Sequence, residues 1–593
     1  MKNAQIRQCQ DCKIEFRIEP DDFQFYEKVE VPPPTFCPEC RLVRRMSWRN
    51  ERSLYHRKCA ATGKDIITMF APEIPVVVYN RDYWWGDVWD QLASARPYDF
   101  SKPFFVQFKE LMERAPLPNL ANSNCVNSEY GNHNADLKNC YLSYACYRNE
   151  DLAYTAGAVD CKSSFDLYKA VNNIGCYNNV LCGDLNQVHF SYDNDESVNS
   201  SFLYACKNVA DSLGCINLRS KTHHIFNEPY AKEEYVKERA KYDLGSHKNL
   251  TDFKERYRNF IGKHPRRHGF VQKSVNAIGD NILNAKNLYM GFDIFGGVED
   301  SKYIIHGADG VRDVYDGYGT GANTSNSYEI VDTGLDASRN LFSIFTHSCE
   351  NTTYTYACQT SKDLFGCIGL RSKQYCILNK QYTKEEYEAL VPKIIAHMSA
   401  MPYEDAKGRV YAYGEFFPTE LSPFAYNETI AQEYYPKLKE EVLALGYRWR
   451  KPDEKKYSIT KDAKDLPDHI KDVTDSILND VIGCEHALHC NEQCMEAFKI
   501  IPSELQFYRA QNLPLPRLCS NCRHYERLSR RTPFKLWDRT CDCGGERSQN
   551  GVYVNTLKHA HGKNACENKF KTSYAPERKE IIYCEQCYQT EVV

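Results

Sequence analysis

Several features that mark large protein classes are missing from this sequence. No run of about 18 apolar residues occurs, and we therefore expect no transmembrane helix. The first residues, MKNAQIRQCQDCK, contain no apolar stretch of the kind that a secretory signal needs, which predicts a cytoplasmic protein. The net charge of −4 is small for 593 residues, so any nucleic-acid surface would have to be local.

The motifs of the common enzyme classes are missing as well. The sequence contains no P-loop, no dinucleotide-binding fingerprint, no nucleophile elbow and no HExxH motif. Asp and Tyr are plentiful, but the pattern singles out no pair of carboxylates for acid–base chemistry. We therefore predict no catalytic residue, and the sequence favours a non-catalytic protein.

Cysteine, in contrast, is abundant. The chain has 27 cysteines, which fall into three groups, within residues 1–60, 125–376 and 484–587. In a reducing cytoplasm, cysteines at knuckle spacing are read as metal ligands before disulfides. The two end groups show that spacing, whereas the middle group mostly does not.

The two ends carry copies of one module. A set of four cysteines recurs, with 24 residues between its two pairs, at Cys9, Cys12, Cys37 and Cys40 and at Cys490, Cys494, Cys519 and Cys522. A constant shift of 482 also aligns Phe25 and Tyr26 with Phe507 and Tyr508. Two thiolate pairs can supply all four ligands of tetrahedral zinc, whose binding would provide folding energy that a small domain lacks.

The stretch CQDCKIEF…FQFYEKVEVPPPTFCPECR resembles zinc-ribbon and treble-clef domains, over about 35 residues at each end. The resemblance implies a zinc-binding fold and no particular activity. The larger chain resembles uncharacterised bacterial proteins that carry several such knuckles, and that resemblance brings no function with it.

A second metal site is predicted after the first one at the C-terminal end. Its expected ligands are Cys541, Cys543, Cys584 and Cys587. A shift of 504 places Asn80 and Tyr83 where Cys584 and Cys587 stand, so the N-terminal copy has lost this metal, and we expect three zinc ions in total. Cys566 or His561 could replace Cys543. Other surplus candidates are Cys484, His486, His489, His559 and the lone Cys59.

Each first site is followed by a basic segment. Residues 41–58 hold seven Lys or Arg against one acid, and residues 523–539 hold six against two. A continuous basic face here would favour RNA or DNA; a protein contact and a solvated helix remain alternatives. The candidate nucleic-acid-binding residues are Arg41, Arg44, Arg45, Arg49, Arg52, Arg523, Arg527, Arg530 and Arg531.

The middle of the chain contains another duplication. Residues 200–235 match residues 352–387 at a shift of 152. Short apolar strands recur at steps of 11 to 14 residues with Asn, Asp and Gly between them, which predicts a parallel β-solenoid; an antiparallel sandwich is the rival. Charged helices after each solenoid would cap its last coil. Cysteines every nine residues from 349 to 376 are interpreted as coil-lining thiols, with zinc as the alternative.

Together these patterns predict a mainly β, multidomain protein in which small α+β zinc modules flank tandem β-solenoids. The predicted segments are a zinc module at 1–100, a solenoid at 120–228, a helical cap at 229–275, a second solenoid at 276–380, a helical region at 381–480 and a second zinc module at 481–593.

The functional expectation is a zinc-binding scaffold or adaptor. Its terminal modules would bind nucleic acid or a protein, and its solenoids would act as a rigid spacer or assembly surface. Exposed solenoid faces are compatible with a homo-oligomer. The alternative is a carbohydrate-active enzyme built on a β-solenoid, which a carboxylate pair in an aromatic-lined groove on the coil faces would favour.

Overall fold

The computed structural model describes residues 3–150, 153–155, 157, 180–182, 185–186, 188–194, 196–451 and 457–593. The chain divides into two compact units. Unit 1 joins residues 1–121 to 269–451 and 534–536, and thus combines the N-terminal module with the second solenoid. Unit 2 joins residues 122–268 to 452–533 and 537–593, and combines the first solenoid with the C-terminal module.

The second solenoid is one sheet whose strands follow each other in chain order. Its strands are Val271–Gln272, Val275–Leu283, Ala285–Ile294, Val298–Gly307, Val311–Thr320, Thr324–Thr333, Ala337–Ile344, Glu350–Tyr356, Lys362–Phe365, Gln374–Ile377 and Lys380–Gln381. All neighbours pair in parallel except the last two strands, which form a hairpin. Successive coils are in register at 11 to 13 residues, for example Ser325 opposite Ser338. The predicted parallel solenoid is confirmed.

The coils bend at every third residue. A series of left-handed residues, three positions apart and with φ between 47° and 57°, comprises Ser348, Asn351, Tyr354, Ala357, Thr360 and Asp363. Asn and Asp tolerate this conformation, and at one corner they also form a ladder: the amide of Asn287 donates to Asp300 at 2.7 Å, and that of Asn276 donates to Asn287 at 3.2 Å. A chain that turns every three residues closes a coil in about twelve, which explains the period read from the sequence.

The solenoid cysteines line the inside of the coils. Cys349, Cys358, Cys367 and Cys376 are buried in one cluster with Leu364 and Leu370. Their Sγ atoms donate to backbone carbonyls, as Cys367 does to Cys376 O at 3.3 Å, and burial raises the pKa of Cys349 to about 12. These groups therefore stay protonated and act as small packing residues.

The first solenoid repeats this architecture with parallel coils in register at twelve residues, as Ser201 opposite Leu213 shows. Its strands are Ala135–Lys138, Tyr147–Glu150, Val180–Cys182, Leu185–Asn186, Tyr192–Asn194, Ser197–Val198, Ser201–Tyr204, Leu213–Ile216, His224–Ile225 and Glu228–Pro229. Residues 158–179, which the solenoid prediction includes, lie outside the described residues.

Charged helices follow both solenoids. Lys232–Ala240 and His247–Ile261 follow the first, and Lys384–Ala400 follows the second. The ring of Phe253 packs at 4.7 Å from Phe202 and 5.3 Å from Phe226, so the helix covers apolar side chains of the last coils. Thr383 and Glu386 form a capping box at the start of the last helix.

The remaining elements belong to the modules and to the region after the second solenoid. The other α-helices are Pro20–Lys28, Pro38–Met46, Arg81–Trp85, Phe104–Met112, Ile430–Tyr434, Lys439–Ala444, Pro502–Ala510, Ser520–Leu528 and Glu585–Val592. Short 3₁₀ helices are Thr419–Leu421, Tyr426–Glu428, Ala463–Asp465, Ile470–Asp472 and Asp475–Asn479. Other small strand pairs are Val78–Tyr79 with Leu117–Pro118, Arg266–Arg267 with Ile582–Tyr583, Tyr403–Glu404 with Val410–Tyr411, and Lys461–Asp462 with Ile482–Gly483. Across the described residues, no helix combines the length and apolarity that a bilayer crossing requires.

Candidate metal centres and the arginine helices

One local structure, a β-hairpin joined to a helix later in the chain, occurs four times among the described residues, and we call it the knuckle frame. The hairpins are Gln5–Gln8 with Glu15–Ile18, Tyr55–Lys58 with Asp65–Thr68, Ile482–Gly483 with Ala497–Phe498, and Trp537–Thr540 with Lys569–Thr572. The helices that complete these frames are, in the same order, Pro38–Met46, Arg81–Trp85, Ser520–Leu528 and Glu585–Val592. Three of the four frames gather four cysteine sulfurs within 4.8 Å of one another.

The first frame brings together the predicted set Cys9, Cys12, Cys37 and Cys40. Cys37 is the N-cap of its helix, and its backbone N–H donates to Cys9 Sγ at 3.2 Å. Hydrogen bonds from the thiols of Cys37 and Cys40 lower the pKa of Cys9. Four converging soft donors, one of which is readily deprotonated, form a set that fits a tetrahedral metal ion.

The third frame holds Cys484, Cys494, Cys519 and Cys522. Three of these were predicted, but Cys484 takes the place that the sequence assigned to Cys490. Cys484 Sγ accepts the N–H of Cys519 at 3.2 Å, which is the contact that Cys9 makes with Cys37. Cys490 lies beside the set, with its sulfur 3.8 Å from that of Cys522.

The fourth frame holds Cys541, Cys566, Cys584 and Cys587. Cys566, one of the two alternatives to Cys543, supplies the remaining sulfur. The N–H of Cys584 donates to Cys541 Sγ at 3.2 Å, and the thiols of Cys541 and Cys587 lower the pKa of Cys584. Cys543 instead faces His559, with 3.7 Å between Sγ and Nδ1.

The second frame, in the N-terminal module, keeps the geometry with one thiol. Cys59 Sγ accepts the N–H of Asn80 at 3.2 Å, as Cys541 Sγ accepts that of Cys584. Asn80 has become a helix cap, whose side chain accepts the N–H of Asp82 at 3.0 Å. The fully buried Trp84 follows and donates from Nε1 to Pro116 O at 2.9 Å. The four ligand positions of this frame thus hold one cysteine, with Thr62, Asn80 and Tyr83.

The helix of the first frame turns its arginines into unit 1. Arg41 donates from Nε and Nη2 to Asp316 Oδ2, at 3.0 and 2.8 Å, and Arg45 Nη2 donates to Asp316 Oδ1 at 3.0 Å. Asp316 is fully buried. The fully buried Glu329 occupies the same position in the next coil, because Tyr315 pairs with Tyr328.

Arg44 continues this network. Its Nη2 donates to Glu329 Oε1 at 3.0 Å and its Nη1 to Glu415 Oε2 at 3.3 Å, while Arg45 Nη1 donates to Glu329 Oε2 at 3.3 Å. Burial alone would lower the pKa of Arg44, but the two carboxylates outweigh it and the pKa is raised. The guanidinium groups are therefore charged, paired and shielded from solvent.

Arg49 and Arg52, at the end of this basic segment, are each 5% exposed. Arg49 pairs with Glu51 at 2.7 Å and with Asp332 at 3.2 Å. Burial raises the pKa of Glu433 to about 7, although Arg52 and Arg49 oppose the shift.

The corresponding helix of unit 2 is buried in a similar way. Arg523 Nη1 donates to Glu504 Oε1 at 3.2 Å and to the Tyr508 hydroxyl at 3.0 Å, and its guanidinium lies 4.7 Å from the ring centre of Tyr154. Arg527 is fully buried. Tyr154 belongs to the first solenoid, so this arginine too joins a module to a solenoid.

Only the last two candidate residues approach the surface. Arg530 and Arg531 are half-buried, and Arg530 Nη2 donates to Glu526 at 2.9 Å. Seven of the nine candidate arginines are therefore buried, and these nine residues do not form a continuous basic face. The sequence showed their positive charge, but not the carboxylates of Asp316, Glu329 and Glu415, which lie hundreds of residues away.

A surface hollow beside the helix His247–Ile261 is lined by Asp252, Glu255, Phe226 and Phe260. Both carboxylates are exposed, and Arg256 lies over the ring of Phe226 at 4.5 Å. The hollow lies at the end of the first solenoid, where Phe226 meets the cap helix, and both of its carboxylates belong to that helix and not to a coil face.

The sequence matches no protein-family model and no curated protein.

Proposed function

We propose that this protein is a non-catalytic, zinc-stabilised scaffold that binds a protein partner through its solenoid surfaces. Three four-cysteine sets would each hold one zinc ion, at Cys9, Cys12, Cys37 and Cys40, at Cys484, Cys494, Cys519 and Cys522, and at Cys541, Cys566, Cys584 and Cys587. Zinc is proposed because four thiolates in a closed site suit a structural, redox-inactive ion.

The observation that carries this proposal is the burial of the arginine helices. In unit 1 the helix that begins at Cys37 ends in a buried ion-pair network with Asp316 and Glu329. A metal bound at the first turn would hold the helix in place. The ion pairs of the helix with Asp316 and Glu329 would in turn hold the module against the solenoid. The zinc sites would therefore make each unit more rigid, and they would not themselves bind an external ligand.

A protein partner is favoured over nucleic acid for two reasons. Four of the arginines that would contact phosphates, Arg41, Arg44, Arg45 and Arg523, are paired with carboxylates inside the fold. In addition, the first solenoid exposes Val126, Tyr130, Tyr141 and Tyr147. Exposed tyrosines are enriched at protein interfaces because they combine a large apolar area with a polar hydroxyl group.

The test is copurification from the source cell with the tagged full chain, before and after nuclease treatment and at high salt. We expect a protein partner that withstands both treatments and that the Tyr130→Ala/Tyr141→Ala variant loses. Val236→Ala, which alters an exposed apolar residue on the cap helix, is the matched control. Recovery of nucleic acid that is released by salt would contradict the proposal.

A further inference from the structure

A second group of metal donors adjoins the fourth frame. It consists of Cys543, His559, His561 and Cys587, whose ligand atoms lie within 4.8 Å of one another. His561 Nε2 is 3.3 Å from Cys587 Sγ, and His559 Nδ1 is 3.7 Å from Cys543 Sγ. Cys587 also belongs to the four-cysteine set. We propose that these four residues bind an additional zinc ion and that the thiolate of Cys587 bridges it to the ion of the four-cysteine set.

Both histidines are oriented as metal ligands are. His559 turns its other nitrogen, Nε2, to Glu591 Oε2 at 3.3 Å, and His561 turns Nδ1 to the carbonyl of Asn564 at 2.7 Å. An acceptor on the far nitrogen fixes the tautomer that leaves a lone pair for the metal. The side chains of His559 and Glu591 are 1% and 0% exposed, so this arrangement is part of the interior.

The carboxylate that orients His559 is itself fixed. Glu591 Oε1 accepts hydrogen bonds from the Tyr553 hydroxyl at 3.0 Å and from the N–H of Thr556 at 2.7 Å. Glu591 lies on the helix Glu585–Val592, whose first turn supplies Cys587. The same helix therefore provides the bridging thiolate and the group that positions a histidine.

The duplication shows where these donors came from. Two residues separate Cys59 from Thr62, whereas 24 residues separate Cys541 from Cys566 at the corresponding positions. Cys543, His559 and His561 all lie in this additional segment. The corresponding segment of the N-terminal module has no metal donor. A metal ion bound by the inserted segment accounts for the three donors that it carries.

Charge favours a second ion as well. The five thiolates of the combined group would surround two zinc ions and two neutral imidazoles, which leaves one net negative charge. A single zinc ion among the same five thiolates would leave three. Because uncompensated charge is costly in a buried cluster, two ions suit these donors better than one.

A similar group, His486, Cys490, Glu492 and Cys522, adjoins the third frame. The side chains of His486 and Glu492 are about one third exposed and pair with each other at 3.0 Å. This pairing already accounts for their positions, and the proposal is therefore confined to the buried group.

The proposal rests on occupation of the four-cysteine set, and the experiment separates the two. Zinc per chain is measured by elemental analysis for the full chain, for Cys543→Ser/His559→Gln and for Cys566→Ser, with Cys59→Ser as the thiol control. We expect the double variant to lose one ion and Cys59→Ser to lose none. If Cys566→Ser loses zinc but the double variant does not, the additional site is refuted and the proposed function stands. If neither loses zinc, both fail.

The bridge is tested by cadmium-113 NMR of the cadmium-loaded chain. Two cadmium ions that share the Cys587 sulfur should split each other's resonances, and the splitting should vanish in Cys543→Ser/His559→Gln. Two unsplit resonances from this module would overturn the shared thiolate.

Discussion

The two cysteine modules share one architecture but differ in how many cysteines they retain. The N-terminal module has one four-cysteine set and one frame that retains only Cys59. The C-terminal module has two four-cysteine sets, each with further donors in segments that the N-terminal copy lacks. In both modules, the sulfur of the first cysteine accepts a backbone N–H from the start of the helix.

This difference shows what a knuckle frame needs. Where the thiols are gone, Asn80 caps the helix and Trp84 fills the interior beneath it, while Arg371 lies 5.2 Å from the Trp84 ring. Apolar packing and a side-chain cap can thus hold the hairpin and helix together without four sulfurs. The C-terminal copy of this frame has cysteines where its counterpart has Thr62, Asn80 and Tyr83, and its stability should depend on metal.

The largest difference in stability is expected between Cys584→Ser and Asn80→Ser, which change corresponding positions of the two modules. Cys584→Ser should abolish metal binding in the fourth frame and expose its hairpin, because structural zinc contributes on the order of 10 kcal/mol in small zinc domains. Asn80→Ser should cost less than about 1 kcal/mol, because serine is also a good helix cap. Hydrogen exchange of Trp537–Thr540 and Tyr55–Lys58 measures both effects, and equal loss of protection would break the comparison.

A smaller effect is expected where the two arginine helices differ. Glu329→Gln removes a buried partner of Arg44 and Arg45 and should destabilise unit 1 by about 3–5 kcal/mol. The place of Arg44 in the C-terminal copy is taken by Glu526, whose side chain is 37% exposed and pairs with Arg530.

Glu526→Gln should therefore cost only about 1 kcal/mol, because solvent screens this pair. Denaturant unfolding measures the loss of unfolding free energy in both variants. Glu350→Gln, which removes one partner of an exposed ion pair, is the control. A cost for Glu329→Gln as small as that of Glu350→Gln would contradict the buried network.

The two solenoids should differ in how their stability responds to acid. Burial lowers the pKa of His189 from 6.5 to about 4, and its Nε2 lies 3.1 Å from Gln511 Oε1 of the C-terminal module. At the corresponding position, a shift of 152, the second solenoid has the buried Leu341. Unit 2 therefore contains a titratable group where unit 1 has an apolar one.

The lowered pKa of His189 determines the direction in which the stability of unit 2 changes with pH. Above pH 6.5, His189 is neutral in both states and its full contribution is present. Between pH 6.5 and 4 the unfolded chain takes up a proton that the folded chain does not, so unit 2 should lose about 3 kcal/mol across this window. The difference in unfolding free energy between the wild type and His189→Leu should change by that amount from pH 7 to pH 4; a constant difference would refute the assignment.

Much of the fold follows from local patterns. The step between strands predicted the parallel solenoid because one coil sets the period of the next, and turn residues such as Asn287 and Asp300 stand at its corners. The spacing of Cys9 and Cys12 identified the first metal set, because both cysteines lie on one hairpin loop.

What escaped prediction depends on insertions and on distant contacts. Cys484 was named only as a surplus candidate, because nine residues separate it from Cys494 where two separate Cys9 from Cys12. An alignment without gaps places Asn491 opposite Cys9 and favours the neighbouring Cys490. An alignment of the two modules that allows gaps would have been needed to recognise the role of Cys484. The role of Arg45 was hidden because its partner Asp316 is 271 residues away in the chain.

The smallest effect concerns the sulfur that remains in the second frame. Cys59→Ser keeps a hydrogen-bond acceptor for the N–H of Asn80 and removes only the packing of a buried sulfur. It should therefore cost about 1 kcal/mol and leave the zinc content unchanged. Cys541→Ser alters the equivalent sulfur and should remove bound zinc. If Cys59→Ser also reduced the zinc content, the N-terminal frame would bind a metal through Cys59 together with donors other than cysteine, and packing would not be what replaced the lost thiols.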